Sequence, residues 1–203
     1  GLSLLNIEQY KSSFKDFDRA IELDPAYASA FNNRGLAKYN LKDFKGAIED
    51  YSKVIELDPE DPIPFYNRGL SLLNIEQYKS SFKDFDRAIE LDPEHSNSFT
   101  NRGLAKYNLE DYEGAIEDYS KAIELDHEDP IPFYNRGVLK DEFKDYEGAI
   151  EDYSKAIELD PQDPSPFTNR GLTKYELKDF KGAIEDYNKA IELDPKYPFP
   201  FTN

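Results

Sequence analysis

The tripeptide Asn-Arg-Gly recurs every 34 residues along this chain of 203 residues, and the string Ile-Glu-Leu-Asp recurs on the same spacing. A strict period of this length is typical of repeat proteins, in which each repeat buries its apolar face only by stacking on its neighbours. We therefore predict one continuous array over residues 1–203, without linkers. The full repeats are 28–61, 62–95, 96–129, 130–163 and 164–197, and partial repeats occupy 1–27 and 198–203.

Each repeat carries the pattern of two helices joined by a turn. In the repeat 62–95, Asp61 is placed to cap a first helix, and Pro62 occupies a first-turn position where a missing N–H costs little. Apolar residues then follow at helical spacing from Phe65 onward. After an interruption at residues 74–77, a second apolar stripe begins near Tyr78. The pattern predicts an all-α fold of helix–turn–helix repeats.

The composition excludes several classes of function. The chain has 42 acidic and 25 basic residues, a net charge of −17, and no cysteine. Disulfides, thiolate metal sites and cysteine nucleophiles are therefore ruled out. Nucleic acids and anionic membranes are bound through clustered Lys and Arg, and no apolar run approaches the ~20 residues that span a bilayer. We expect neither nucleic acid nor membrane among the partners.

The residue patterns that carry catalysis or metal binding do not point to an enzyme. The only histidines are His95 and His127, at repeat junctions almost one repeat apart, and we interpret them as solvent-exposed loop residues rather than a shared metal site. Carboxylates recur in every repeat at the same offsets, as a solubilising face would require. No phosphate-binding glycine loop and no His-Glu-x-x-His motif is present. We predict no catalytic residues, no metal site and no cofactor.

At fixed offsets within 28–61 stand a large aromatic, a glycine, an alanine, a second aromatic and a proline. These are Phe31, Gly35, Ala47, Tyr51 and Pro59. The repeat resembles the tetratricopeptide repeat, and the resemblance extends over the whole chain. It implies a right-handed superhelical solenoid of antiparallel helix pairs, with the first helices lining a groove. It also implies a non-catalytic scaffold for protein–protein interaction.

Two positions depart from that family's pattern in every repeat. The leucine usual before the glycine is replaced by Arg34, Arg68, Arg102, Arg136 and Arg170, and each second helix carries an aspartate at Asp16, Asp50, Asp84, Asp118, Asp152 and Asp186. An arginine stem can replace leucine packing while its guanidinium pairs with a carboxylate. We predict a ladder of Arg–Asp contacts between the two helices of each repeat.

The resemblance places the partner groove on the first helices. The candidate residues form an aliphatic row beside tyrosines and amides: Asn32, Leu36, Tyr39, Asn40, Leu70, Asn74, Leu104, Tyr107, Asn108, Val138, Leu172 and Tyr175. Such a surface suits an extended peptide or an inserted helix. Family members that clamp a C-terminal carboxylate use Lys, Arg and Asn at groove offsets, so Leu and Tyr argue against that activity. The alternative is that these residues only pack adjacent first helices together.

The ends of the sequence suggest a second hypothesis. The sequence starts at the repeat's glycine and stops just before the Arg-Gly that would follow Asn203, and neither end shows the polar capping repeat that solenoids need. This favours a segment of a longer continuous array. Alternatively, the chain is a structural subunit that stacks on copies of itself head-to-tail into a filament, which we would expect to be extracellular. The candidate self-assembly residues are Gly1, Leu2, Leu5, Phe199, Phe201 and Asn203.

Overall fold

The computed structural model describes residues 4–195, with side chains from Ser13 onward. This range contains eleven α-helices and no strand, which confirms the all-α prediction. The chain divides into two compact units, residues 1–110 and 111–203. In the first unit the helices are α1 (Leu4–Leu23), α2 (Ala28–Asn40), α3 (Phe44–Leu57), α4 (Pro62–Asn74), α5 (Tyr78–Leu91) and α6 (Ser96–Asn108). In the second unit they are α7 (Tyr112–Leu125), α8 (Pro130–Glu142), α9 (Tyr146–Leu159), α10 (Pro164–Glu176) and α11 (Phe180–Leu193).

Aspartate caps begin most of these helices. The Asp61 carboxylate accepts a hydrogen bond from the Ile63 amide, and Pro62 occupies the first turn of α4, as the sequence predicts. The first helices α8 and α10 begin in the same way. In α3, α7, α9 and α11, the capping aspartate accepts from a glycine amide three residues later. These caps satisfy amides that have no acceptor within the helix.

The turn between the two helices of every full repeat holds a residue in the left-handed conformation. Its φ lies between 60 and 64° and the residue is never glycine: Lys42, Glu76, Glu110, Lys144 and Lys178. At Lys144, hydrogen bonds from its own amide to Asp141 and from the Asp145 amide to Lys140 close the helix end. A side chain in this conformation costs roughly 1–2 kcal/mol, so packing of the two helices must hold the turn in place.

We therefore expect Lys144→Gly to raise the free energy of unfolding by about 0.5–1 kcal/mol, because glycine removes the Cβ strain. The gain is smaller than the strain because glycine also loses more backbone entropy on folding. Urea denaturation followed by circular dichroism measures the change. Lys144→Ala is the matched control, since it removes the lysine side chain but keeps Cβ, and it should produce no such gain. An equal gain in both variants would contradict the strain argument.

In four repeats a glycine of the first helix faces an aromatic ring of the second. A Cβ added to Gly69 of α4 would lie 2.7 Å from the Phe85 ring of α5, and Phe85 is fully buried. The corresponding pairs are Gly35 with Tyr51, Gly137 with Tyr153, and Gly171 with Tyr187. In these four repeats a glycine–ring contact therefore joins the two helices.

The predicted Arg–Asp ladder is present. Arg136 of α8 donates two hydrogen bonds to Asp152 of α9, at 2.9 and 2.7 Å, and Asp152 is almost completely buried. The same bidentate pair joins Arg34 to Asp50, Arg68 to Asp84, and Arg170 to Asp186. Bidentate pairing fixes both distance and angle between two planar groups, so each pair sets the geometry of its helix pair.

The arginine also reaches the second helix of the preceding repeat. Arg136 Nη1 donates to the Ser120 hydroxyl at 3.0 Å, and Arg170 Nη1 donates to Ser154 at 2.9 Å. In the first unit the acceptors are Asp18, Ser52 and Asp86, which pair with Arg34, Arg68 and Arg102. Each of these guanidinium groups therefore joins helices of successive repeats, which explains why the arginine recurs where the family usually has leucine.

The start of the chain differs from what the repeat implies. Residues 1–25 have the same sequence as 69–93, where a turn at residues 75–77 separates two helices. Residues 4–23 instead form one continuous helix, so the same residues adopt two backbone conformations within one chain.

Candidate functional site

The first helices of successive repeats lie side by side within each unit. In the first unit α4 contacts both α2 and α6, and in the second unit α8 contacts α10. Hydrogen bonds from asparagine to tyrosine cross these contacts: Asn74 to Tyr39 at 3.2 Å, Asn101 to Tyr66 at 3.4 Å, and Asn169 to Tyr134 at 3.1 Å. We call the accessible side of α2, α4 and α6, and separately of α8 and α10, the first-helix face of each unit.

The predicted aliphatic row lies on this face and is accessible. Leu36 is 46% exposed, and Leu70 and Leu104, at the same position of the next two repeats, are half-buried. In the second unit Val138 and Leu172 are half-buried. None of the five is fully buried. Packing between adjacent helices therefore uses only part of their surface.

The predicted amides fall into two groups. Asn74 and Asn108 are exposed, and each donates its Nδ2 to the carbonyl four residues earlier, at 2.9 and 2.8 Å. Within the described part of the chain, no donor reaches the Oδ1 of either residue. Asn40, at the same offset one repeat earlier, is half-buried. Asn32 differs, because its Oδ1 is buried without a hydrogen bond and is not available to a partner.

Two of the predicted tyrosines, Tyr39 and Tyr175, pack against neighbouring rings. Tyr39 packs edge-on against Phe44 at 5.4 Å, and Tyr175 does the same against Phe180 at 5.4 Å. Tyr175 is 47% exposed, whereas Tyr107 is half-buried. Ring packing restricts these side chains before any partner binds, which lowers the entropy that binding would remove.

Four residues of the first-helix face are not among those predicted from the sequence. Ile63 and Ile131, at the second position of their repeats, are 57% and 55% exposed, and Tyr66 and Tyr134 lie one helical turn further along. A signal existed, because the same two positions carry polar residues in the other full repeats. These are Ser29, Asn32, Asn97, Thr100, Ser165 and Thr168.

Each isoleucine–tyrosine pair lines a pocket. In the first unit, Ile63 and Tyr66 line a pocket of about 240 Å³ together with Pro62, Asp92 and His95. In the second unit, a pocket of about 250 Å³ lies at the start of α8, the end of α9 and the start of α10. Its lining residues are Asp129, Pro130, Ile131, Tyr134, Ala156, Asp160, Asp163 and Pro166.

The shifted titratable groups are structural. Burial raises the pKa of Tyr51 and Tyr153 above their ordinary value, and that of Tyr187 to about 12. Hydrogen bonding to Asp50 raises the pKa of Arg34, against the lowering effect of burial. All four groups keep their protons at neutral pH, whereas a general acid or base works best with a pKa near the operating pH. None of them is placed to act as an acid–base catalyst.

The structure also bears on metal binding, membrane insertion and head-to-tail assembly. Among residues 13–195, no three His, Cys, Asp or Glu side chains converge to hold a metal ion. No helix in the described range combines the length and apolar character needed to cross a bilayer. Of the predicted self-assembly residues, Gly1, Leu2, Phe199, Phe201 and Asn203 lie outside the described residues. Leu5 is in α1, but its side chain is not described. Head-to-tail assembly therefore stays a prediction.

Family models match most of the chain. The model described as "TPR repeat" matches residues 103–140 and 144–178. Two models described as "Tetratricopeptide repeat" match residues 28–61 and 165–197, and residues 64–95. The search of curated proteins gives no significant match.

Solved structures share the fold over most of their length. A structure of MamA is 25% identical with a TM-score of 0.74, covering 80% of this chain and 95% of the other. PilF from Pseudomonas aeruginosa is 20% identical with a TM-score of 0.79, covering 95% and 91%. YrrB, described as "a TPR protein with an unusual peptide-binding site", is 24% identical with a TM-score of 0.71, covering 89% and 93%.

Proposed function

Because the chain belongs to the tetratricopeptide repeat family, we propose that it is a non-catalytic interaction scaffold whose first-helix face binds an extended peptide. The observation that carries this proposal is the accessible aliphatic row, which runs beside exposed asparagines whose orientation is already set. A peptide-binding role is also described for YrrB, with which the chain shares its fold.

The asparagines favour an extended peptide over a helix. The Nδ2 groups of Asn74 and Asn108 are bonded back to their own helices, and each residue is exposed, so each Oδ1 remains as a hydrogen-bond acceptor. An extended peptide has backbone N–H groups that need such acceptors, whereas a bound helix satisfies its own. The leucines beside them supply the apolar contact that makes binding favourable. The face therefore suits an extended peptide with apolar side chains.

Selection from a library of random displayed peptides on the immobilised chain tests this function. The most enriched peptide is synthesised, and its affinity is measured by isothermal titration calorimetry. We expect Leu36→Gln/Leu104→Gln/Leu172→Gln to weaken binding about 10-fold or more, because the first-helix face of each unit then loses at least one partly exposed leucine, whichever unit binds the peptide. Circular dichroism should show unchanged helicity, since none of the three is fully buried.

A matched control removes the same kind of surface elsewhere. Leu23→Gln/Ile184→Gln/Ile191→Gln changes aliphatic residues that are 70, 58 and 45% exposed and lie outside the first helices. This variant should bind the peptide as the unmodified chain does. The proposal fails if no peptide is enriched, or if the control weakens binding as much as the leucine variant does.

A further inference from the structure

The residues that line the pocket beside Ile131 indicate the chemistry of a partner side chain. We propose that it receives the cationic side chain of an arginine or lysine from the bound peptide. This inference rests on the proposed function, since it names the chemistry of one side chain of the same partner. Two independent features support it, an apolar wall that the fold does not require and a set of carboxylates without cationic partners.

The apolar wall consists of Ile131 and Tyr134. Ile131 is 55% exposed, and leaving such a side chain in water loses the free energy that its burial would provide. The repeat does not need an apolar residue here, because Ser165 occupies the same position in α10 of the same unit. Tyr134 is held by the hydrogen bond from Asn169. Together they offer a surface for the methylene stem of a long side chain, and a ring for its cation.

Three aspartates also line the pocket. Asp129, Asp160 and Asp163 each accept one backbone amide, at 3.0, 3.1 and 2.9 Å, through the Oδ1 atom. Among the side chains described from Ser13 to residue 195, no Lys, Arg or His pairs with any of the three. The aspartates of the Arg–Asp ladder, by contrast, are paired with cations.

The shape of the site selects the kind of cation. The three carboxylates do not converge as metal ligands do. They are distributed around a cavity of about 250 Å³, which also has an apolar wall. A compact ion would leave that wall exposed, whereas an arginine or lysine side chain covers it and presents several donors to separate carboxylates. The geometry therefore fits a long organic cation.

The first unit contains a natural comparison. In the pocket beside Ile63, His95 stands where the second unit has Asp163. The His95 ring lies 4.8 Å from the Tyr66 ring, and its Nδ1 is 2.7 Å from the Ser98 hydroxyl. That pocket has the same isoleucine and tyrosine but is lined by one aspartate, Asp92, where the second-unit pocket is lined by three. We therefore assign the cation preference to the pocket of the second unit.

The test compares peptide selection on the whole chain and on the variant Asp129→Asn/Asp160→Asn/Asp163→Asn. Asparagine caps helices about as well as aspartate, so the variant loses charge but keeps the caps. We expect peptides enriched on the unmodified chain to share an arginine or lysine at one fixed position, and those enriched on the variant to lack it. Replacing that residue by norleucine should weaken binding about 5-fold or more on the unmodified chain, and less than about 2-fold on the variant.

The control Asp111→Asn/Asp145→Asn/Asp179→Asn removes the same net charge from the same unit. Its three residues cap the second helices and do not line the pocket. It should retain the preference for a cation. Enriched peptides without a basic residue, or equal loss in the control, would overturn the inference while leaving peptide binding intact. If no peptide is enriched, or if the leucine variant binds normally, the proposed function itself fails.

Discussion

Replacing Asp152 with alanine is expected to lower the free energy of unfolding by about 3 kcal/mol, because it leaves two cations without their shared carboxylate. Asp152 accepts two hydrogen bonds from Arg136, and its Oδ2 lies 2.9 Å from the Lys140 Nζ. Its side chain is 3% exposed, whereas those of Arg136 and Lys140 are 19% and 21% exposed. Since the two cations retain some solvent, we place the cost at the lower end of the range for broken buried pairs. Urea denaturation followed by circular dichroism gives the value.

The chain offers two internal comparisons for this result. Glu151→Ala removes an exposed carboxylate from the adjacent position of α9, and it should change the free energy of unfolding by less than about 0.5 kcal/mol. Asp84→Ala should cost less than Asp152→Ala, because the repeat 62–95 has Leu72 where the others have lysine. Only Arg68 would then lose its partner.

A double variant separates the attraction within the ion pair from the cost of removing its two charges from water. Arg136→Leu/Asp152→Ala restores the leucine usual in the family and removes both charges of the pair. Replacing a buried pair by apolar residues is often nearly neutral, so the double variant should recover the part of the loss that comes from Arg136, while Lys140 stays without its carboxylate. If Asp152→Ala alone behaves like Glu151→Ala, the ladder contributes nothing to stability and the proposed role of the arginine is wrong.

Gly69→Val is expected to lower the free energy of unfolding by about 3 kcal/mol, because the added atoms would overlap the Phe85 ring. A Cβ alone would already lie 2.7 Å from that ring, which is fully buried and cannot move into solvent. Gly69→Ala should cost less, about 1 kcal/mol, since the better helix propensity of alanine offsets part of the overlap. The same denaturation measurement ranks the two variants.

The last full repeat provides the control for steric overlap. A Cβ on Gly171 would lie 2.6 Å from the Tyr187 ring, slightly closer than in the Gly69 pair. Tyr187 is half-buried rather than fully buried, so its ring can shift. Gly171→Ala should therefore cost less than Gly69→Ala despite the shorter distance. The reverse order would show that ring mobility does not decide the effect.

The first-helix face was predictable in outline but not in detail. The family's offsets predicted an aliphatic row, and Leu36, Leu70 and Leu104 are each at least partly exposed, while partner binding at this row stays a prediction. The same reasoning included Asn32, whose side-chain oxygen Oδ1 is buried. It also left out Ile63 and Ile131, because a first-turn residue after proline reads as part of a cap. Whether a side chain is exposed depends on how the neighbouring repeat packs against it. The sequence of the residue's own repeat does not contain that information.

The pockets show the same limit. Asp129 and Asp163 were recognisable as helix caps because each directly precedes the proline that starts the next repeat. Their second role, as lining residues of one cavity with Asp160, depends on three helix ends meeting at one place. A helix cap depends on a few adjacent residues and can be predicted from them. The convergence of separate helix ends depends on how the helices pack.

The identical segments 1–25 and 69–93 show most clearly which properties follow from local sequence and which depend on packing. Their identical residues determine helical content, the amphipathic stripe and the capacity to form one half of a repeat. Only in the second copy does the chain turn at Glu76, bury Phe85 fully and pair Asp84 with Arg68. In the first copy the backbone continues as one helix from Leu4 to Leu23, Phe17 is half-buried and Asp16 is exposed. A left-handed turn costs roughly 1–2 kcal/mol locally, and in the second copy the packing of α4 against α5 offsets that free energy. Local sequence therefore determined the helices, and packing decided where the chain turns.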